Sequence, residues 1–111
     1  MDFRISGEVV HGDSYGKKIG FPTVNLAVDV NMEELPKSGV YAGKGFLENK
    51  EYKAGIVLGP NDKIEAHMIG FNGDAYGKKV TLVLNKFLRE YKKFDTEEEL
   101  IGQIKKDLNK C

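Results

Sequence analysis

Apolar and polar positions alternate along most of this chain. Phe3, Ile5, Gly7 and Val9 are interleaved with Arg4, Ser6 and Glu8, the period of a strand with one buried face. Val24, Leu26 and Val28 repeat it, and Val40, Ala42 and Phe46 continue it after Pro36 and Gly39. Glu48-Asn49-Lys50 reads as a hairpin turn, with Tyr52 to Leu58 as the returning strand. Gly59-Pro60-Asn61-Asp62 is a turn, because a fixed φ stands beside residues that tolerate positive φ. Ile64 to Phe71 reads as a further strand, Asn72-Gly73 as another turn, and Val80, Leu82 and Leu84 as the inward face of the last strand.

The period then changes. Leu100, Ile101, Ile104 and Leu108 fall on one helical face, and Asp95 or Thr96 stands where an N-cap is needed. Thr96 to Glu99 has capping-box spacing. Acidic residues crowd the start of this helix, and Lys105, Lys106 and Lys110 its end, in the sense the helix dipole favours. About six short strands followed by one amphipathic helix predict a closed antiparallel barrel with the helix packed outside. Closure removes the exposed edges that so small a sheet would otherwise carry.

Composition narrows the picture. The 111 residues suit one domain spanning 1–111, and 41% hydrophobic residues suffice for one small core. Lys plus Arg and Asp plus Glu both number 17, which gives no general electrostatic reason to expect nucleic acid or an acidic membrane as partner. One cysteine, Cys111, excludes a disulfide framework within the chain and suits a reducing compartment. No run reaches the roughly 18 apolar residues of a membrane span, and the N-terminus lacks the pattern of a secretory signal. A cytoplasmic monomer is expected. The 13 glycines fit tight barrel corners and loops that approach a ligand closely.

Several motifs fail. Gly16-Lys17 would need a glycine at 11 and a hydroxyl residue at 18 for a P-loop, and those positions hold His11 and Lys18. A strand, not a helix, follows the spaced glycines, which rules out the dinucleotide fingerprint. His11 and His67 lack partners at zinc-ligand spacing, and no Gly-x-Ser-x-Gly elbow occurs.

Residues 12 to 25 are the most informative. Gly12, Gly16 and Gly20 allow close backbone approach to a ligand, while Lys17 and Lys18 supply positive charge. Thr23 and Asn25 are two apart, so in extended chain their oxygens point the same way and could serve a magnesium ion held mainly by phosphates. A capped turn with structural hydrogen bonds fits the same residues. The stretch from Gly12 to Ile19 is echoed by Gly73 to Val80, identical at six of eight positions. Two similar turns leading into strands account for this, and so do two loops converging on one polyanion.

Gly20-Phe21-Pro22-Thr23-Val24-Asn25 resembles the Gly-x-Pro-Thr-Ala-Asn signature of the ATP-dependent riboflavin kinases of bacteria and eukaryotes. Val9-Val10-His11-Gly12 resembles the end of that family's first strand, Ser38 to Ala42 its next turn and strand, and Ile64 to Met68 the strand of its catalytic glutamate. Asp74 to Lys78 resembles its Tyr-Gly turn, and Phe87-Leu88-Arg89 with Lys93-Phe94-Asp95 and the helix after it resembles its closing segment.

The resemblance implies a six-stranded antiparallel Greek-key barrel with one C-terminal helix, and riboflavin, ATP and magnesium as ligands. It implies that Gly12 and Lys17 or Lys18 hold ATP phosphates, that Thr23 and Asn25 bind magnesium and phosphate, and that Met68, Gly70 and Tyr76 line the nucleotide site. Glu65 is implied as general base, and Arg89, Lys92 and Phe94 as contacts on the flavin side. Three features depart from the family. Gly55 to Lys63 crosses directly where a longer loop is usual, Val24 replaces an alanine, and Tyr91 stands where bacterial members often have glutamate. A non-catalytic flavin- or nucleotide-binding sensor is the alternative, and an oligonucleotide-binding barrel a weaker third. Retention of Thr23, Asn25 and Glu65 together argues against the sensor, since a pure binder needs no base. The length leaves no room for a domain that would convert FMN to FAD, and Met1 with an intact first strand reads as a natural start, so FMN is the expected final product.

Overall fold

The computed structural model describes residues 3–10, 23–27, 36–59, 63–71 and 75–111. Six strands, β1 (Phe3–Val10), β2 (Val24–Ala27), β3 (Gly39–Leu47), β4 (Lys50–Leu58), β5 (Ile64–Met68) and β6 (Lys79–Arg89), precede one helix, α1 (Glu97–Leu108). The strands close into a barrel in the order β1-β2-β5-β4-β3-β6, every neighbouring pair antiparallel. β3, β4 and β5 follow one another as a meander, and β6 returns to lie beside β3, which is Greek-key order. The expected fold is therefore the observed one.

Side chains from alternate positions fill the interior: Ile5 and Val9, Leu26, Ala54, Ile56 and Leu58, Ile64, Ala66 and Met68, and Val80, Leu82 and Leu84. The phase predicted for β1, β2 and β6 holds, with Val28 outside the described residues. That of β3 does not. Tyr41 and Leu47 point into the core cluster, whereas Val40 and Ala42 are buried outside it and Phe46 is half-buried. The inward positions between them are Gly43 and Gly45, which leave no apolar mark in the sequence. Gly43 is where backbones crowd: a Cβ there would lie 1.9 Å from the Val83 carbonyl oxygen, beside a register shift between β3 and β6.

β5 is shorter than its apolar run predicts. It stops at Met68, because Gly70 takes a φ of 89° and the Phe71 amide donates back to the Met68 carbonyl at 3.2 Å. The β3–β4 hairpin turns on Glu48 and Asn49, both at positive φ, as two-residue hairpins require. The turns at 60–62 and 72–73 lie outside the described residues.

Thr96, not Asp95, caps α1; its hydroxyl accepts from the Glu99 amide at 3.2 Å. The helix packs against β3 and β4. Gly55 makes room for it, since a Cβ there would sit 3.2 Å from Leu108 and 3.8 Å from Cys111.

Candidate active site

Strand register brings the two halves of the expected site together. Asn25 of β2 is the cross-strand partner of Glu65 of β5, and Val10 at the end of β1 partners Asn25 from the other side. Directly opposed residues share a sheet face, with Cβ atoms about 4.5–5.5 Å apart. Leu26, Ile64 and Ala66 face inward, so Asn25 and Glu65 face outward, on the barrel wall. Thr23, two residues before Asn25 and half-buried like it, lies just before β2. Asn25 and Glu65 thus meet on one wall, with Thr23 close to Asn25 in the chain, just before β2.

Glu65 is outward but sheltered, its side chain only 18% exposed, and its carboxylate faces the Lys63 ammonium at 3.4 Å. Lys63 sits on the same face two residues earlier, and its carbonyl accepts from the Gly59 amide at 2.8 Å. Lys63, held just before β5, thus sets a cation beside the proposed base. His67 shares the outward face of β5.

A second region lies around the segment between β6 and α1. Residues 91–97 and Leu100 line an open cavity of about 420 Å³. Lys92 and Phe94, two of the residues expected on the flavin side, are among them, with the Lys92 ammonium 5.4 Å from the Phe94 ring centre. The Tyr91 ring edge and Lys63 Cβ would lie 3.5 and 3.6 Å from a Cβ placed on Gly59, so this cavity borders the crossing that carries Lys63. Arg89, the third residue expected on the flavin side, has partners within the chain. Its Nε donates to both carboxylate oxygens of Asp107, at 3.2 and 3.0 Å, its Nη2 lies 3.0 Å from Oδ2, and its Nη1 donates to the Glu90 carbonyl.

Of the residues expected to line a nucleotide site, Gly70 and Tyr76 are exposed, and Met68 is not. The Met68 side chain lies inside the barrel, in space left by Gly45, where a Cβ would come within 2.7 Å of its sulfur. Its side chain thus faces away from the wall that carries Asn25 and Glu65. The Tyr76–Gly77 turn sits against the end of β1: the Gly77 amide donates to the Val9 carbonyl and the Val9 amide to the Lys78 carbonyl, both at 2.9 Å. The turn of the second copy of the echoed motif is thus docked on the end of β1. Gly12, Lys17 and Lys18 lie outside the described residues.

Lys63, Gln103 and Asp107 were not singled out by sequence. Asp107 had a signal: it is an acidic residue in the last turn of a helix, where the dipole disfavours it, on the face that carries Leu100 and Ile104.

The Flavokinase (riboflavin kinase) family profile matches residues 1–111. The chain belongs to the riboflavin kinase family. A bifunctional riboflavin kinase/FMN adenylyltransferase of Escherichia coli K12 is 35% identical over 113 residues, covering 95% of this chain and 36% of that protein. This riboflavin kinase family member thus spans about a third of the length of that curated relative. The riboflavin kinase of Trypanosoma brucei superposes with a TM-score of 0.77 at 27% identity, over 97% of this chain and 73% of its own. A Streptococcus pneumoniae protein described as a macrolide-efflux protein superposes at 0.88 with 30% identity, over 96% of this chain and 37% of its own. No helix among the described residues is long and apolar enough to cross a membrane. The kinase relatives do not favour the sensor alternative for this chain.

Proposed function

We propose that this chain transfers the γ-phosphoryl group of ATP to the 5′-hydroxyl of riboflavin, giving FMN and ADP. The observation that carries the reading is the pairing of Asn25 with Glu65 across β2 and β5. It sets neutral oxygen ligands and a carboxylate side by side, as transfer between a metal-bound phosphate and an alcohol requires.

The donor set suits magnesium bound chiefly through phosphate: one hydroxyl and one amide oxygen, both uncharged, on an extended segment. No group of three or more His, Cys, Asp or Glu residues able to hold a metal occurs among the described residues, so no self-sufficient metal cage competes with that reading there. When bound, magnesium would neutralise charge on the phosphates. Thr23 and Asn25 hold and orient the phosphate end of ATP. Glu65 accepts the proton of the 5′-hydroxyl as its oxygen bonds to the γ-phosphorus. The bond from that phosphorus to the β–γ bridging oxygen breaks, and ADP leaves. Gly12, Lys17 and Lys18 at the start of the glycine-rich stretch, with Gly70 and Tyr76, form the nucleotide side. Lys92 and Phe94, lining the cavity near Lys63, form the flavin side. The closed barrel leaves no sheet edge for strand pairing between copies, which supports action as a monomer, and one cysteine suits a reducing cytoplasm.

Incubation with riboflavin, ATP and magnesium, followed by chromatography, should yield FMN and ADP in equal amounts. Riboflavin binding without FMN formation would contradict the proposal and favour the sensor.

A further inference from the structure

Asp107 is the one buried charged residue among the described residues, 4% exposed, and it makes more polar contacts than a helix surface needs. Three guanidinium contacts come from Arg89, and the Gln103 amide donates to Oδ1 at 3.0 Å. Unpaired, such a carboxylate would be costly to bury; paired in this fork geometry it fixes the two elements that carry it. Those elements are the ends of one segment. Arg89 is the last residue of β6, and Asp107 lies in the last turn of α1. Between them run the residues that line the 420 Å³ cavity. The Arg89 guanidinium also stands 5.5 Å from the Phe94 ring centre, on the loop it closes.

We infer that the Arg89–Asp107 pair is a clamp that closes the cavity-lining segment 91–97 into shape, so that Arg89 and Asp107 are positioning residues for the flavin side and not its ligands. The inference rests on the proposed riboflavin site. Arg89 has its fork committed to Asp107, and the charge of the pair is internally neutralised. Its effect on riboflavin therefore passes through the position of Phe94 and Lys92. Binding of the phosphate end of the nucleotide, proposed for Thr23 and Asn25, does not depend on it.

The test is riboflavin affinity, by fluorescence titration, against affinity for ADP with magnesium, by calorimetry, in wild type, Asp107→Asn and Arg89→Lys. Asp107→Asn leaves the arginine in place and retains a hydrogen-bond acceptor; Arg89→Lys leaves the charge and loses the fork. Both should weaken riboflavin binding at least about 10-fold, as a displaced binding segment would, with ADP binding within about twofold of wild type. Melting of both variants separates this from unfolding, and Gln103→Leu, which removes only a support of Asp107, should give a smaller loss in the same direction. Loss of riboflavin affinity in Arg89→Lys alone would make Arg89 a ligand and overturn the clamp. Equal loss for both ligands would make the pair merely structural and overturn it too, as would unchanged binding in both variants. A wild type that binds riboflavin but forms no FMN sinks the proposed reaction and leaves the clamp to be judged by binding. A wild type that binds no riboflavin sinks both.

Discussion

At Glu65 the surroundings decide what a carboxylate can do. It stands on the outer wall, four-fifths covered, with Asn25 on the neighbouring strand and Lys63 on its own. Lys63 is half-exposed, so its pairing contributes little to stability, and Lys63→Met should change unfolding free energy by less than about 1 kcal/mol in a denaturant titration. Gly43 is the opposite case. A methyl group there meets the Val83 carbonyl, which is backbone and cannot rotate away, so Gly43→Ala should cost about 2–4 kcal/mol by the same measurement. Burial beside Gly55, and then the negative charge of Asp107, raise the Cys111 thiol above its ordinary value of 9.0, and its Sγ donates to the Asp107 carbonyl at 3.3 Å. Iodoacetamide at pH 8 should therefore alkylate Cys111 more slowly in the folded protein than in urea.

Among the elements, α1 depends most on local chemistry. Its Thr96 cap satisfies one amide that the first turn leaves open, and Thr96→Ala should destabilise the protein by about 1 kcal/mol in thermal or chemical unfolding. The strands were legible wherever a side chain marks each face: β1, β2 and β6 show their inward residues directly. The pattern of β3 misleads in phase because its inward row is Tyr41, Gly43, Gly45 and Leu47, half of it without side chains, while Val40 and Ala42 are buried outside the core cluster. The apolar run overstates the length of β5 because Ile69 and Phe71 extend it past a turn that only the backbone at Gly70 reveals.

For the whole molecule, closure of the barrel converts sequence distance into contact. Thr23 and Glu65 are 42 positions apart by their residue numbers, yet β2 and β5 are neighbours because the meander β3-β4-β5 folds back past them. That step was invisible to periodicity, which reads each strand alone; family motifs supplied the residues, and topology supplied their meeting. The Arg89–Asp107 pair shows the same limit: an ordinary strand-end arginine meets a helical aspartate, which becomes buried, only once α1 docks. Stability should also carry an alkaline signature. Burial raises Tyr41 above its ordinary value of 10.0, as it raises Cys111 above 9.0. Groups raised on folding hold their protons longer in the native state, so their contribution is complete below those ordinary values and is lost as pH climbs through the folded ones. Denaturant midpoints should decline above about pH 9, and Cys111→Ala should remove the earlier part of that decline.

The most direct test of the account is the turnover of Glu65→Gln, which keeps the size and most of the hydrogen bonding of the side chain and removes its capacity to take a proton. FMN formation should fall by about 100- to 10,000-fold while magnesium–ADP and riboflavin still bind. Turnover equal to wild type would contradict the assignment of the reaction to the wall that Glu65 shares with Asn25.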